Sequence, residues 1–422
     1  MEKIICSLED WDSILDFYRP NGSSKTWYLK ELKQLHLPLM WANWTLFSED
    51  GDMFGLDGYK RTITAPYTDK IEYLTSDKID GRPHIYIINV NDSEFFKKNN
   101  QIGFSCVSEN YLNDVRNGRS AIVLFLPYEG YSGIQGNFDF EIIDEWRKKS
   151  NLPVGSVYYV CGNLLSEQIV KNKNLGIEGR GLHYFEPWNK YNDKAVDFNP
   201  IDDKYLFLSY NRQPRIHRIR LAIELLRSNL FHKGLISLYK LNGPLMNASP
   251  TENEFLVNNS PFTIDSKYDL YYNLAINITK EDYERTFISL LTETLVDEGT
   301  LFLSEKIWKP IMVGHPFLVY GNKGTLKYLK ELGYRTFDKW IDESYDDIND
   351  RDVRCCKIVS ELNKFSNKTV DELKQIREEM REVCEYNQEH FKLLYKQNYD
   401  EHANSTKIEN ILSEIWEKIK DK

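Results

Sequence analysis

The chain has no apolar run approaching the ~18 uninterrupted residues needed to cross a bilayer, which argues against a membrane span. Its first residues, MEKIICSLEDWDS, lack the apolar core of a signal peptide. Cysteine is scarce and carries no pattern. The six thiols, Cys6, Cys106, Cys161, Cys355, Cys356 and Cys384, form no CxxC pair and no metal-ligand spacing, and adjacent Cys355 and Cys356 are poorly placed to share a bridge. They read as reduced thiols of a cytoplasmic protein. The GxxxxGK[ST], HExxH and GxSxG motifs are all missing, which removes P-loop, zincin and serine-hydrolase chemistry from first consideration. An excess of basic charge is missing too. Against 64 Asp and Glu stand 54 Lys and Arg, a net charge of -10, so the whole chain carries no footprint for non-specific nucleic-acid binding.

What is present is a chain of 422 residues, long enough for two domains of roughly 150–200 residues each. Aromatics make up 14% of it, which would suit sugar-binding faces but also follows from the Tyr-, Asn- and Lys-rich usage of an AT-rich genome. Short continuous apolar runs predict buried strands at 3–7, 85–90, 121–126, 157–161 and 182–185, with a helix at 140–149. Further strands are expected at 205–209, 235–239, 287–291 and 316–320, with helices at 216–230 and 304–313 between them. Continuous rather than alternating apolar character suits parallel sheets covered on both faces, and the strand–helix–strand order implies α/β architecture with right-handed crossovers. The polar stretch at 188–204 reads as a linker. The expected division is therefore a first domain at 1–195, a second at 196–360, and helices at 361–422 that pack back on the first. Val370, Leu373, Ile376 and Met380, then Ile408, Ile411, Leu412 and Ile415, supply the packing stripes of those helices.

Two stretches of the second half concentrate chemistry. In the first, a strand runs into Asn211-Arg212-Gln213-Pro214-Arg215 and a helix begins near Ile216, with Arg218, Arg220 and His217 close by. Arginines gathered at a strand-to-helix junction repel one another unless anions or carboxylates answer them. Arg212 and Arg215, nearest the strand end, are the phosphate candidates, and some of the others are expected to pair with acids such as Glu224. In the second, a strand ends in Thr292-Glu293-Thr294, and Ser304-Glu305-Lys306 opens a helix that stops at Gly314. A helix start offers free N–H groups and a positive dipole end, and Lys306 adds a full charge there. An ordinary N-cap by Ser304 with dipole-complementing Glu305 fits the same residues equally well.

Together these stretches resemble the donor domain of the GDP-fucose-dependent fucosyltransferases, whose signature runs roughly FEN…YVTEK and then aG.vPv..G. The matching residues are Thr292-Glu293-Thr294, Phe302-Leu303-Ser304-Glu305-Lys306, Gly314-His315-Pro316 and Gly321. The resemblance covers about 204–326 and reaches the GT-B glycosyltransferase superfamily rather than fucose itself. Thr294 stands where the family has Asn, Phe302 where it has Tyr, and the spacer from Glu293 to Phe302 is longer. Beyond Gly321 the chain is similar instead to uncharacterised glycosyltransferase-like proteins of phages and bacteria. The resemblance implies two Rossmann-like domains facing a cleft and a nucleotide-sugar donor. It implies Lys306 and Arg212 or Arg215 on the diphosphate and Glu305 on the ribose, with Glu293, Phe302 and Ser304 completing the donor site.

The first half then has to hold the acceptor. Glu129, just past the strand at 121–126 and beside Gly130, is the candidate general base, although an ordinary surface glutamate fits the position as well. Asp139, Glu141 and His183 are the alternatives. Strand-end Asp-x-Asp is missing, and the one match, Asp350-Arg351-Asp352, falls in the acidic stretch ESYDDINDRD, which reads as a solvated turn. Neutralisation of the diphosphate by Arg and Lys, with no metal and no cofactor, is the expectation. The acceptor is a hydroxyl, a glycan before DNA. A phage-type transferase acting on modified DNA bases and a non-catalytic nucleotide- or carbohydrate-binding protein remain alternatives on the same fold.

Overall fold

The computed structural model of the protein describes residues 3–8, 71–74, 79–89, 107–126, 138–182, 201, 204–211, 213–264, 278–399 and 403–422. The chain runs β1 (Ile4–Leu8), β2 (Ile71–Leu74), β3 (His84–Asn89), α1 (Glu109–Arg116), β4 (Ser120–Leu126), α2 (Phe138–Lys149), β5 (Val157–Cys161), α3 (Ser166–Asn172) and β6 (Glu178–Gly181). It continues through β7 (Phe207–Asn211), α4 (Ile216–Arg227), β8 (Gly234–Leu238), α5 (Pro250–Asn259), α6 (Lys280–Glu284), β9 (Ile288–Thr292), α7 (Glu305–Val313) and β10 (Phe317–Tyr320). The helices α8 (Thr325–Glu331), α9 (Arg351–Asn363), α10 (Val370–Tyr399) and α11 (Ala403–Ile419) complete it. Two compact units result, one of residues 1–183 with 400–422 and one of residues 184–399.

The first unit is built on a six-stranded sheet of order β2-β1-β3-β4-β5-β6, every pairing parallel. Alternation along each strand sends residues to opposite faces, and here both faces are apolar. Tyr86, Ile88, Ile122, Leu124, Val157 and Tyr159 meet Tyr111 and Val115 of α1 and Phe140 and Ile143 of α2. On the other face Ile85, Ile87, Val123, Phe125, Tyr158 and Val160 meet Leu412, Ile415, Trp416 and Ile419 of α11. The segment at 361–422 therefore divides. Only its last helix covers the first sheet, whereas α10 packs along α7 in the second unit. Ion pairs at the rim of α11, such as Arg180–Glu414 at 2.8 Å, supplement that apolar contact.

β6 departs from expectation. It spans Glu178–Gly181, and its sequence EGRG has no apolar signal; of the strand expected at 182–185 only Leu182 is among the described residues. Its glycines allow a close approach: a Cβ at Gly179 would stand 2.5 Å from the Ser166 carbonyl oxygen, and one at Gly181 2.7 Å from the Leu164 Cα. The stretch expected to be a linker, 188–204, lies almost entirely outside the described residues.

The second unit carries a four-stranded parallel sheet of order β10-β9-β7-β8. From β7 the chain moves through α4 to β8 on one side; from β9 it moves through α7 to β10 on the other. Right-handed crossovers in opposite directions put α4 and α7 on opposite faces. α9 joins α4 and α10 joins α7, so both faces are covered. Trp308 of α7, almost fully buried, packs on Tyr334 and on Phe391 of α10. Among the described residues no helix is long and apolar enough to cross a membrane.

Candidate functional site

Neighbouring parallel strands whose connections leave in opposite directions form a topological switch point, where α/β sheets open a crevice at their carboxyl ends. β7 and β9 are such a pair. Their ladder covers only Phe207–Leu208 against Ile288–Ser289, while β9 and β10 are paired from Ser289 to Thr292. Beyond it, buried side chains span the gap. The Thr292 hydroxyl donates to Asn211 Oδ1 at 2.5 Å, Asn211 Nδ2 donates to Ser209 Oγ at 2.8 Å, and Ser209 Oγ donates to the Leu290 carbonyl at 2.9 Å. Each group in this chain has one role, so nothing in it is left unpaired in the core.

Above the chain lies Glu293-Thr294. Glu293 is completely buried. Its carboxylate accepts from the Ser304 hydroxyl at 2.5 Å, the Ser304 N–H at 3.3 Å and the Thr294 N–H at 3.2 Å. It therefore anchors the start of α7 from beneath, and it complements the dipole there. Ser304 is the N-cap, its Oγ accepting from the Lys306 N–H. At the other end of α7, Gly314 takes a left-handed conformation (φ 69°) and the His315 N–H reaches back to the Pro310 carbonyl at 2.8 Å. This Schellman-type stop turns the chain directly into β10.

Two cations from two helices meet on Thr294. Lys306 Nζ lies 3.0 Å from Thr294 Oγ1 and 3.1 Å from Ser304 Oγ. Arg215, the N-cap residue of α4, donates from Nη1 to the Thr294 carbonyl at 3.0 Å, and no side chain caps this helix. Among the described residues no carboxylate pairs with Arg215. The two helix starts, with their outward N–H groups, thus flank the switch point, one on each face of the sheet. His217, in the first turn of α4, is buried and donates from Nε2 to the Glu293 carbonyl at 3.0 Å. Burial first, then the neighbouring positive charge of Arg218, Arg215 and Arg351, lowers its pKa to about 3 despite the favourable carbonyl contact. It is a neutral imidazole.

Of the residues singled out from sequence, Arg215, Glu293, Ser304 and Lys306 are brought together here. Phe302 is buried beneath them, its N–H bonded to Asn322 Oδ1 at 3.1 Å. Glu305 is the first residue of α7, and its side chain lies outside the described residues, as do Arg212, Glu129 and His183 entirely and the side chain of Asp139. Glu141 pairs with Lys173 at 2.8 Å. Arg220 pairs with Glu224 at 3.1 Å, the acid expected for this cluster, but the pair is mostly buried and not at the surface. The acidic stretch at 343–352 caps helices. Asp346 accepts from the Leu326 and Lys327 N–H groups at 3.0 Å each, and Asp350 from Asp352 and Val353 at 2.8 and 2.9 Å. Asp346 is buried there and is not the solvated turn residue expected.

His217, Arg351 and the Ser209–Asn211–Thr292 chain were not assigned from sequence. Only His217 carried a signal, its place among arginines at a helix start. Arg351, paired with Asp297 at 2.5 Å, comes from α9 and stood in the sequence only as the middle of the Asp350-Arg351-Asp352 match. No protein-family model matches the chain, and no curated protein matches it.

Proposed function

We propose that the protein is a glycosyltransferase that takes its sugar from a nucleoside diphosphate, with the diphosphate held between Arg215 and Lys306 at the β7/β9 switch point. One observation carries this reading. Cations from two separate helices converge on one residue, Thr294, at the sheet edge where both helix starts offer N–H groups. As the bond between the sugar's anomeric carbon and the diphosphate oxygen breaks, negative charge grows on the leaving group. Preorganised donors beside that charge are the usual dominant contribution to catalysis. The acceptor hydroxyl gives up its proton to a base, for which Glu129 of the first unit is our candidate. In this reading the two units work as the two domains of a GT-B enzyme, Arg212 and Glu305 complete the donor site, and a glycan hydroxyl is the acceptor.

Titration calorimetry with a panel of nucleoside diphosphates and their sugars tests the reading. Lys306→Ala, Arg215→Ala and Arg212→Ala are each expected to weaken binding by about 1.5–3 kcal/mol, the range for hydrogen bonds to charged groups. Unaltered affinity in all three variants would place the donor elsewhere. Release of free sugar or transfer from the bound donor separates an enzyme from a binding protein.

A further inference from the structure

His217 presents an acceptor that no other described residue uses. A backbone carbonyl can only accept, so the 3.0 Å contact with Glu293 puts the imidazole proton on Nε2. In a neutral ring Nδ1 then carries a lone pair. Among the described residues no group donates to it, although the side chain is only 8% exposed. The ring is held edge-on to Tyr320 of β10, with centroids 6.0 Å apart. Arg215 and Arg218 of α4 and Arg351 of α9 surround it with positive charge, so a second proton is disfavoured. The lone pair of Nδ1 is left to take a donor from water or from a bound ligand.

That partner has to be a hydrogen-bond donor. A phosphate oxygen at neutral pH has no proton to give, and its lone pairs would face the lone pair of Nδ1. Hydroxyl groups do have one, and in a nucleotide sugar they lie within a few bonds of the diphosphate on both sides, on the ribose and on the transferred sugar. We propose that His217 is a specificity residue whose Nδ1 accepts a hydrogen bond from a hydroxyl next to the bound diphosphate. The proposal rests on the donor-site reading above. It divides the labour at the start of α4: Arg215 holds charge, and His217 reads a neutral hydroxyl and discriminates against ligands that lack it.

The test uses the full chain and His217→Gln. The glutamine amide nitrogen can take the place of Nε2 and keep the bond to the Glu293 carbonyl, while the Nδ1 acceptor is lost. Calorimetry is run with inorganic pyrophosphate, with GDP, UDP, ADP and CDP, with the 2′,3′-dideoxy forms of those that bind, and with the corresponding nucleotide sugars. His217→Gln is expected to bind pyrophosphate as the wild type does and to lose about five- to tenfold in affinity for the hydroxyl-bearing ligand, the scale of one neutral hydrogen bond. If the hydroxyl is on the ribose, the dideoxy forms lose the same factor in the wild type and nothing more in the variant. If it is on the transferred sugar, only the nucleotide sugars show the loss. Equal affinity of variant and wild type for every probe overturns the proposal. A matching loss for pyrophosphate overturns it as well, because His217 would then act through the phosphate pocket. A wild type that binds none of the probes removes the donor site itself, a failure visible before any variant is made.

Discussion

Glu293→Gln separates a residue that builds the site from one that touches the ligand. The family resemblance would have this glutamate among the donor contacts, but its carboxylate is fully buried and already accepts from three donors, two on Ser304 and one on Thr294. Glutamine keeps the volume and loses the charge. Hydrogen bonds to a charged group contribute about 1.5–3 kcal/mol each and neutral ones about 0.5–1.5, so losing the charge at three donors costs about 3–4.5 kcal/mol. For a unit of this size, 1 kcal/mol moves the midpoint by about 2–4 °C. Scanning calorimetry is expected to show the transition of the second unit lowered by about 6–18 °C, with pyrophosphate binding weakened as Ser304 and Lys306 lose their seat. A transition within about 1 °C of wild type together with weakened binding would refute the argument, since Glu293 would then be facing the ligand.

Other expectations follow from the same geometry. The folded chain keeps His217 neutral with a pKa of about 3, whereas an unfolded histidine titrates near 6.5. As the pH falls through that window the unfolded state gains a proton that the folded state refuses, and stability is lost. His217→Gln should therefore lose less stability than wild type between pH 7.5 and 5, by about 1–2 kcal/mol in denaturant melts; parallel losses would mean the ring is protonated in the fold. Arg227→Ala should raise the pKa of Glu252, now held at about 2 by that arginine at 2.7 Å, as followed by NMR titration; an unmoved value would reject the pairing. Donor turnover is expected to persist in excess chelator, and loss restored by Mn²⁺ or Mg²⁺ would contradict neutralisation by Arg215 and Lys306. Glu129→Gln is expected to lower turnover by about a hundred- to ten-thousand-fold with donor affinity unchanged, and near-normal turnover would rule it out as the base.

The parts of the fold legible in the sequence are those where burial on both faces leaves an unbroken apolar run. Val157–Cys161 falls as expected to the residue, and β4, β9 and β10 within one residue at each end, because each is interior or well covered. The two edge strands of the first sheet broke the rule. β2 reads IEYL, a short run broken by a charge, and β6 reads EGRG, where close approach of the α3 turn excludes side chains. The charged helix starts could be read because dipole and capping chemistry are local: Ser304 and Arg215 are N-cap residues. Their convergence could not, because it depends on the carboxyl ends of β7 and β9 being neighbours, a pairing between segments some 80 residues apart. A still larger separation along the chain hid Arg351, which arrives at His217 from α9.

The bridge of Ser209, Asn211 and Thr292 makes the width of the crevice a matter of side-chain length. A backbone ladder has one spacing and cannot be lengthened. A spacer of hydroxyl, amide and hydroxyl can be changed one atom at a time, so Asn211→Gln would lengthen it by roughly one carbon–carbon bond, about 1.5 Å. The mouth of the sheet is thereby uncoupled from the strand pairing below it, where Phe207 and Leu208 hold register with Ile288 and Ser289. In the donor site proposed above, size selection among ligands would then rest on three small side chains while the sheet stays as it is.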